Sequence, residues 1–424
     1  MTTDEFPALS PGRGITSVCS AHPLVIEAAL CEAHASGRTV LIEATCNQVN
    51  HLGGYTGMTP LDFRRFVLEI AARVGFDAKR ILLGGDHLGP NPWKSIPPAD
   101  AMAEAETMVR AYVQAGFTKI HLDTSMGCQD EPVALDNEVT AARAAQLARV
   151  AEQAAADSGL APPRYVIGTE VPVPGGALEE IAELDVTRPE ASLETLRVHR
   201  DAFRALGLES AFARVIAIVV QPGVEFGHVN VSVYRPDRAR TLSDSLAQMP
   251  GLVFEAHSTD YQPAAALVHL VEDGFSILKV GPGLTFALRE ALYGLDAIAS
   301  ELQPGYGRER AGLRQSMEAL LLAEPQHWQP YYRGDEADQR IQRHYSYSDR
   351  IRYYWTHPHA CAAVERLFDL LHTAEIPETL ISQYLAPVYP QVLAGLVPPL
   401  PRELCLGAVR RALTPYTQAT CRAA

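Results

Sequence analysis

At 424 residues, with 47% hydrophobic and 20% charged residues, the chain carries enough apolar material for a large core. Its formal net charge of −14 argues against nucleic acid as a main partner, because phosphate binding needs a basic face. No apolar run approaches the ~20 residues that span a bilayer, and the first residues lack a basic stretch followed by an apolar one, so neither membrane nor secretion signal is expected.

In chain order, residues 14–22 read as a first strand, and Pro23 opens a helical pattern, a position that suits proline. Residues 39–45 form a second apolar run that ends in a polar cluster at Asn47, and Thr59 reads as the N-cap of a helix from Pro60. The third run, from Ile81, stops at Asp86 and His87 and turns on Gly89 and Pro90. It shows no alternation, as expected of a strand buried on both faces. Further runs follow at residues 118–123, 165–170, 214–220, 252–256 and 276–280, with helical patterns between most neighbours. Eight strands alternating with helices give the count of an α/β (β/α)8 TIM barrel. A doubly wound open sheet is the alternative, but it does not require eight repeats and no G-x-G-x-x-G opens a helix. From about Leu284 helical patterns dominate. The division expected is a barrel over residues 1–300 and a helical C-terminal extension over 301–424, packed on the barrel.

The strand ends collect Ser20, His22, Glu43, Asn47, Asp86, His87, Asp123, Glu170, Gln221, His257, Asp260 and Lys279. Parallel barrel strands deliver such residues to one rim. The set is rich in ligands for a divalent cation, Zn²⁺ first and Co²⁺ or Mn²⁺ as alternatives. Such an ion polarises a sugar carbonyl, while Asp86 moves a proton to or from a hydroxyl. His22 reads equally as the cap of the helix at Pro23, and His121 as a core histidine. Lys279, in a buried run, needs a partner such as a phosphate or a rim carboxylate. Gly281 and Gly283 offer backbone N–H groups to a phosphate, with Arg350 or Arg352 reaching in from the extension. The seven cysteines are scattered and form no C-x-x-C, which predicts reduced thiols in a cytoplasmic protein.

Several stretches are distinctive together: Cys19-Ser20-Ala21-His22-Pro23, Gly84-Gly85-Asp86-His87-Leu88-Gly89-Pro90, Gly168-Thr169-Glu170-Val171-Pro172, Glu255-Ala256-His257-Ser258-Thr259-Asp260-Tyr261 and Ser348-Asp349-Arg350-Ile351-Arg352. With them, the chain resembles the tagatose-1,6-bisphosphate aldolase subunit usually called non-catalytic, from about Gly14 to near the C-terminus. The resemblance implies a barrel of the class II aldolase type. It makes Asp86 the proton-transfer acid and His87 and His257 metal ligands. Gln221 stands where the catalytic enzymes have a further histidine, and Glu170 is the residue that would complete the set. The Gly-Gly-Ser-Gly phosphate loop of those enzymes is missing after His257.

Three functions follow from the resemblance. One is support of a catalytic class II aldolase subunit, and another is a metal-dependent 4-epimerase acting on a ketohexose or its phosphate. The weakest is non-enzymatic sugar binding. Retained polar groups at strand ends favour chemistry, since burying them is costly. A sugar kinase is not supported, because no nucleotide-phosphate loop occurs. Self-association into a homo-oligomer stays open.

Overall fold

The computed structural model describes residues 6–168, 184–303, 305–307 and 311–421. Eight strands close into a parallel barrel. They are β1 (Ile15–Cys19), β2 (Val40–Thr45), β3 (Ile81–Leu88), β4 (Lys119–Leu122), β5 (Arg164–Ile167), β6 (Val215–Val220), β9 (Val253–Ala256) and β10 (Phe275–Val280). A short antiparallel hairpin, β7 (Glu225–Phe226) and β8 (Val231–Ser232), sits in the connection after β6. It is too short to leave a periodic signal. The barrel order β1-β10-β9-β6-β5-β4-β3-β2 runs through neighbours in sequence, and every apolar run expected to be a strand is one.

Local chemistry accounts for several boundaries. His22 caps the helix Pro23–Ala35 by accepting the Leu24 N–H at Nδ1 (3.2 Å), so its capping role holds. Thr59 and Asp62 exchange hydrogen bonds in a capping box at the helix Pro60–Arg73. Inward-facing residues are layered. Ile15, Leu41, Leu82, Val166, Val253 and Ile277 fill one end of the barrel, with Phe6 and Leu9 of the N-terminal segment packed against them. Two residues further along the strands the interior becomes charged, at Glu43, Lys119, Glu255 and Lys279, and beyond that layer lies the mouth.

The boundary expected at residue 300 falls inside the helix Pro282–Leu302. The last helix, Pro401–Thr420, packs against the helices Pro23–Ala35, Ala264–Glu272 and Pro282–Leu302, and also touches β1. Tyr416 Oη donates to the Thr259 carbonyl at 2.5 Å, and Arg402 pairs with Glu27. The last helix of the extension therefore packs back on the barrel. Among the described residues no helix is long and apolar enough to cross a membrane.

Candidate active site

The site begins with the glycines of β3. Gly84 is the register partner of Glu43 on one side and of Lys119 on the other. A Cβ there would lie 2.2 Å from Glu43 Oε1, so only glycine leaves room for the carboxylate. Lys119 Nζ reaches across to Glu43 Oε1 at 2.7 Å and to Glu255 Oε2 at 2.8 Å, with all three side chains fully buried. Past Gly85 the pairing of β3 with β4 shifts register, and His87 takes a left-handed conformation with φ of 49°. Consecutive strand residues normally point to opposite faces. The irregularity turns both Asp86 and His87 into the mouth, and the strain of a positive φ at a histidine is localised there.

Three imidazoles converge at this point. One donor atom each from Asp86, His87, His121 and His257 lies within 4.8 Å of the others. The ring centres of His87 and His257 are 4.8 Å apart, and those of His121 and His257 5.3 Å. Each ring also bonds an oxygen behind it. His87 Nδ1 donates to Asp123 Oδ2 (2.8 Å), His121 Nε2 to the Gly168 carbonyl (2.9 Å), and His257 Nε2 to Glu255 Oε1 (2.9 Å). These bonds orient the rings, and for His121 the Nε2 bond leaves Nδ1 as the acceptor. His121 Nδ1 accepts the His87 N–H at 3.3 Å, which requires that tautomer. Carboxylates and carbonyls placed behind imidazoles are the usual surroundings of metal-binding histidines.

The charges point the same way. Among the described residues Glu43, Asp86, Asp123 and Glu255 supply four carboxylates beside the amino groups of Lys119 and Lys279, and burial lowers the Lys279 pKa. Burial opposes ionisation of Asp123, but the hydrogen bond from His87 holds it well below the usual carboxylate range. Burial likewise opposes Glu255, and Lys119 beside it holds it low. Burial, then the neighbouring His87 and His257, pushes His121 down to about 3, so that ring is neutral. Its unprotonated Nδ1 faces Asp86 Oδ1 at 3.2 Å, and two acceptors so close repel unless a cation lies against both. The residues present thus fit a divalent cation in donor type and proximity.

The remaining expected residues fall into distinct places. Lys279 pairs with Asp86 inside the barrel and has Glu255 at 3.7 Å and Glu43 at 3.9 Å, so of its two expected partners the rim carboxylate is the one in place. Gln221, expected as a weak metal ligand, gives its Oε1 to the Gly223 and Val224 N–H groups (2.8 and 2.9 Å), which turns its oxygen away from ligation. Gly281 and Gly283 donate their N–H groups to Asp260 Oδ1 (2.9 and 2.7 Å), so a carboxylate of the chain already fills the anion position expected for phosphate. Arg350 stacks on Tyr331 at 3.3 Å and donates to the His327 carbonyl, a packing role in the extension. Arg352 does reach the mouth, where it lines a small cavity with Ser20, His22, Tyr55, Gly281 and Thr285. Asn47 is exposed and its carbonyl accepts the Tyr55 N–H. Glu170 lies outside the described residues.

Three residues were undervalued from sequence. His121, read as a core histidine, belongs to the imidazole cluster, and Lys119 and Glu255 form the charged layer beneath it. The signal was alternation, since Lys119, His121 and Asp123 are polar at every second position and so share the inward face.

A sequence profile described as "D-tagatose-1,6-bisphosphate aldolase subunit GatZ/KbaZ-like" matches residues 9–421. A protein of Agrobacterium fabrum (strain C58) named "D-tagatose 6-phosphate 4-epimerase" is 57% identical over 407 residues, covering 96% of this chain and 95% of its own. A crystal structure described as a probable tagatose 6 phosphate kinase from Sinorhizobium meliloti 1021 superposes with a TM-score of 0.89 at 59% identity, covering 96% of this chain and all of its own. With a profile match over nearly its whole length and a relative this similar, the chain belongs to the D-tagatose-1,6-bisphosphate aldolase subunit GatZ/KbaZ-like family.

Proposed function

We propose that the chain is a divalent-metal-dependent 4-epimerase that interconverts the 6-phosphates of tagatose and fructose by breaking and remaking the C3–C4 bond. The observation that carries this reading is the convergence of three imidazoles on Asp86 at the barrel mouth. His87, His121 and His257 would hold the ion, with Zn²⁺ the best match to their nitrogen donors. When bound, the ion supplies Lewis acidity that favours negative charge on the ketose oxygens. Asp86 takes the proton of the C4 hydroxyl as the C3–C4 bonding pair moves onto the three-carbon fragment. The aldehyde turns over, bond formation inverts C4, and Asp86 returns the proton, so nothing is gained or lost. Lys279 is held against Asp86, and burial lowers its pKa. Arg352, which lines the mouth cavity with Ser20, would take the 6-phosphate.

The name of the Agrobacterium relative supports this substrate. The kinase description of the Sinorhizobium structure gains no support here, because the sequence contains no nucleotide-phosphate loop. A second reading, an accessory partner of a catalytic class II aldolase, rests on the word subunit in the family description. The seven free thiols favour a cytoplasmic setting for either role.

NMR of fructose 6-phosphate in D₂O with the zinc-loaded chain alone is the test. Tagatose 6-phosphate should form with hydrogen retained at C4, since that C–H bond is never broken. Deuterium at C4 would rule out carbon–carbon cleavage, and no conversion at all would leave the accessory role.

A further inference from the structure

Outside the barrel, the helices that follow β10 enclose a cavity of about 530 Å³ that the chemistry above does not use. Arg289 on the helix Pro282–Leu302 lines it and is only 2% exposed. A buried guanidinium is ordinarily matched by hydrogen bonds to its N–H groups. Asp349 Oδ1 lies 3.5 Å from Arg289 Nε, yet neither Nε nor Nη2 makes a hydrogen bond. Aromatic rings surround the group, with Phe286 at 4.1 Å, Tyr345 at 5.5 Å and Tyr293 at 5.6 Å from Cζ. Two exposed arginines on the cavity wall, Arg314 and Arg411, form no ion pair with any described residue. Among the acids there, Asp296 accepts from Tyr306 Oη and from the Leu313 N–H, both at 2.6 Å, and Glu301 accepts from Tyr384 Oη at 2.9 Å. The wall thus carries three guanidinium groups and three carboxylates, and what it leaves unmet are the Nε and Nη2 donors of the buried Arg289.

We propose that this cavity is a second ligand site, which takes an organic anion bearing a phosphate or carboxylate on a flat apolar body. Its size suits a small organic molecule. Arginine matches an oxyanion with paired N–H donors, and the rings cover the body of the ligand. Nucleoside monophosphates and simple aryl phosphates share this chemistry. The site also adjoins the barrel mouth. Asp349, next to Arg289, accepts from Thr285 Oγ1 at 2.6 Å, and Thr285 lines the small mouth cavity together with Arg352.

Calorimetric titration of the full, metal-loaded chain with AMP, phenyl phosphate and inorganic phosphate tests the proposal. One or both organic phosphates should bind saturably, one per chain and at least about tenfold more tightly than inorganic phosphate. Saturating tagatose 6-phosphate should not displace them. Arg411→Ala, at an exposed position, should weaken binding roughly tenfold, the loss expected for one charge-assisted contact, while the KM for the sugar phosphate stays unchanged. Arg289→Gln should weaken it further, and if that variant does not fold, Arg411→Ala decides alone. Preference for AMP identifies a nucleotide as the source, and preference for phenyl phosphate identifies a non-nucleotide aryl anion. No saturable binding of either, equal affinity for inorganic phosphate, displacement by tagatose 6-phosphate, or an unaffected Arg411→Ala variant overturns it.

Discussion

Asp86 and Asp260 are both buried acids near the mouth, and their neighbours give them opposite work. Asp86 touches an ammonium and an imidazole, the surroundings of a group that must exchange a proton during turnover. Asp86→Asn keeps the shape and removes the base, so metal and sugar phosphate should still bind while kcat falls by roughly 10²–10⁴. Isothermal binding beside a turnover assay separates the two effects. Asp260 instead braces the turn after β10 through two glycine N–H groups. Burial raises its pKa from 3.8 to about 6, against the lowering effect of the Gly283 and Gly281 amides. Because the folded state holds this proton more tightly than the unfolded chain, the cost of ionising Asp260 is absent below about pH 4. It grows through about pH 6 and is complete above it. Asp260→Asn accepts the same two N–H groups without charge, so it should be more stable than the parent above pH 6, by an amount on the order of 3 kcal/mol, and equal to it near pH 4. Parallel denaturant titrations at the two pH values check this; a pH-independent difference would count against it.

Among the elements, β3 carries the most constraint per residue. Gly84→Ala would drive a methyl group into Glu43 and part it from Lys119. The expected result is a loss of about 1–3 kcal/mol from overpacking, together with weakened metal binding as the charged layer shifts. A normal melting temperature would mean that Glu43 can move aside. Asp-His at the end of one apolar run reads equally well as a helix cap and a core histidine, and this strand was readable because the same punctuation recurs along the chain. His121 was harder, since a histidine inside an otherwise apolar strand is more often core than ligand, and only the alternation with Lys119 and Asp123 marks the inward face. Gly281 and Gly283 misled for a different reason. Their N–H groups are an anion site, but the anion is supplied by Asp260, twenty or so residues away in sequence. Spacing alone does not reveal which acid comes to fill such a turn.

For the whole molecule, a divalent cation held by the imidazoles and Asp86 at the mouth would tie folding to the metal. Chelation should lower the melting temperature as well as abolish epimerisation, and excess Zn²⁺ should restore both. At a hundredfold excess over Kd the stabilisation is about 2.7 kcal/mol, read as a shift in a thermal melt. An unchanged melt would place the cation elsewhere. The alternation of strands and helices was legible because each strand is a separate apolar run. The return of the last helix to the barrel was not, because nothing in its own pattern names the surface it covers.

That returning helix also sets the order of events during synthesis. When β10 has been made, every strand of the barrel exists, yet the surfaces of the helices Pro23–Ala35 and Ala264–Glu272 that the helix Pro401–Thr420 will cover are still bare. Translation proceeds at roughly 5–20 residues per second, so the nascent barrel waits on the order of ten seconds with that seam open. A ribosome that stalls between residues 303 and 400 therefore holds a chain with all its strands and an uncovered apolar seam, a natural client for a chaperone.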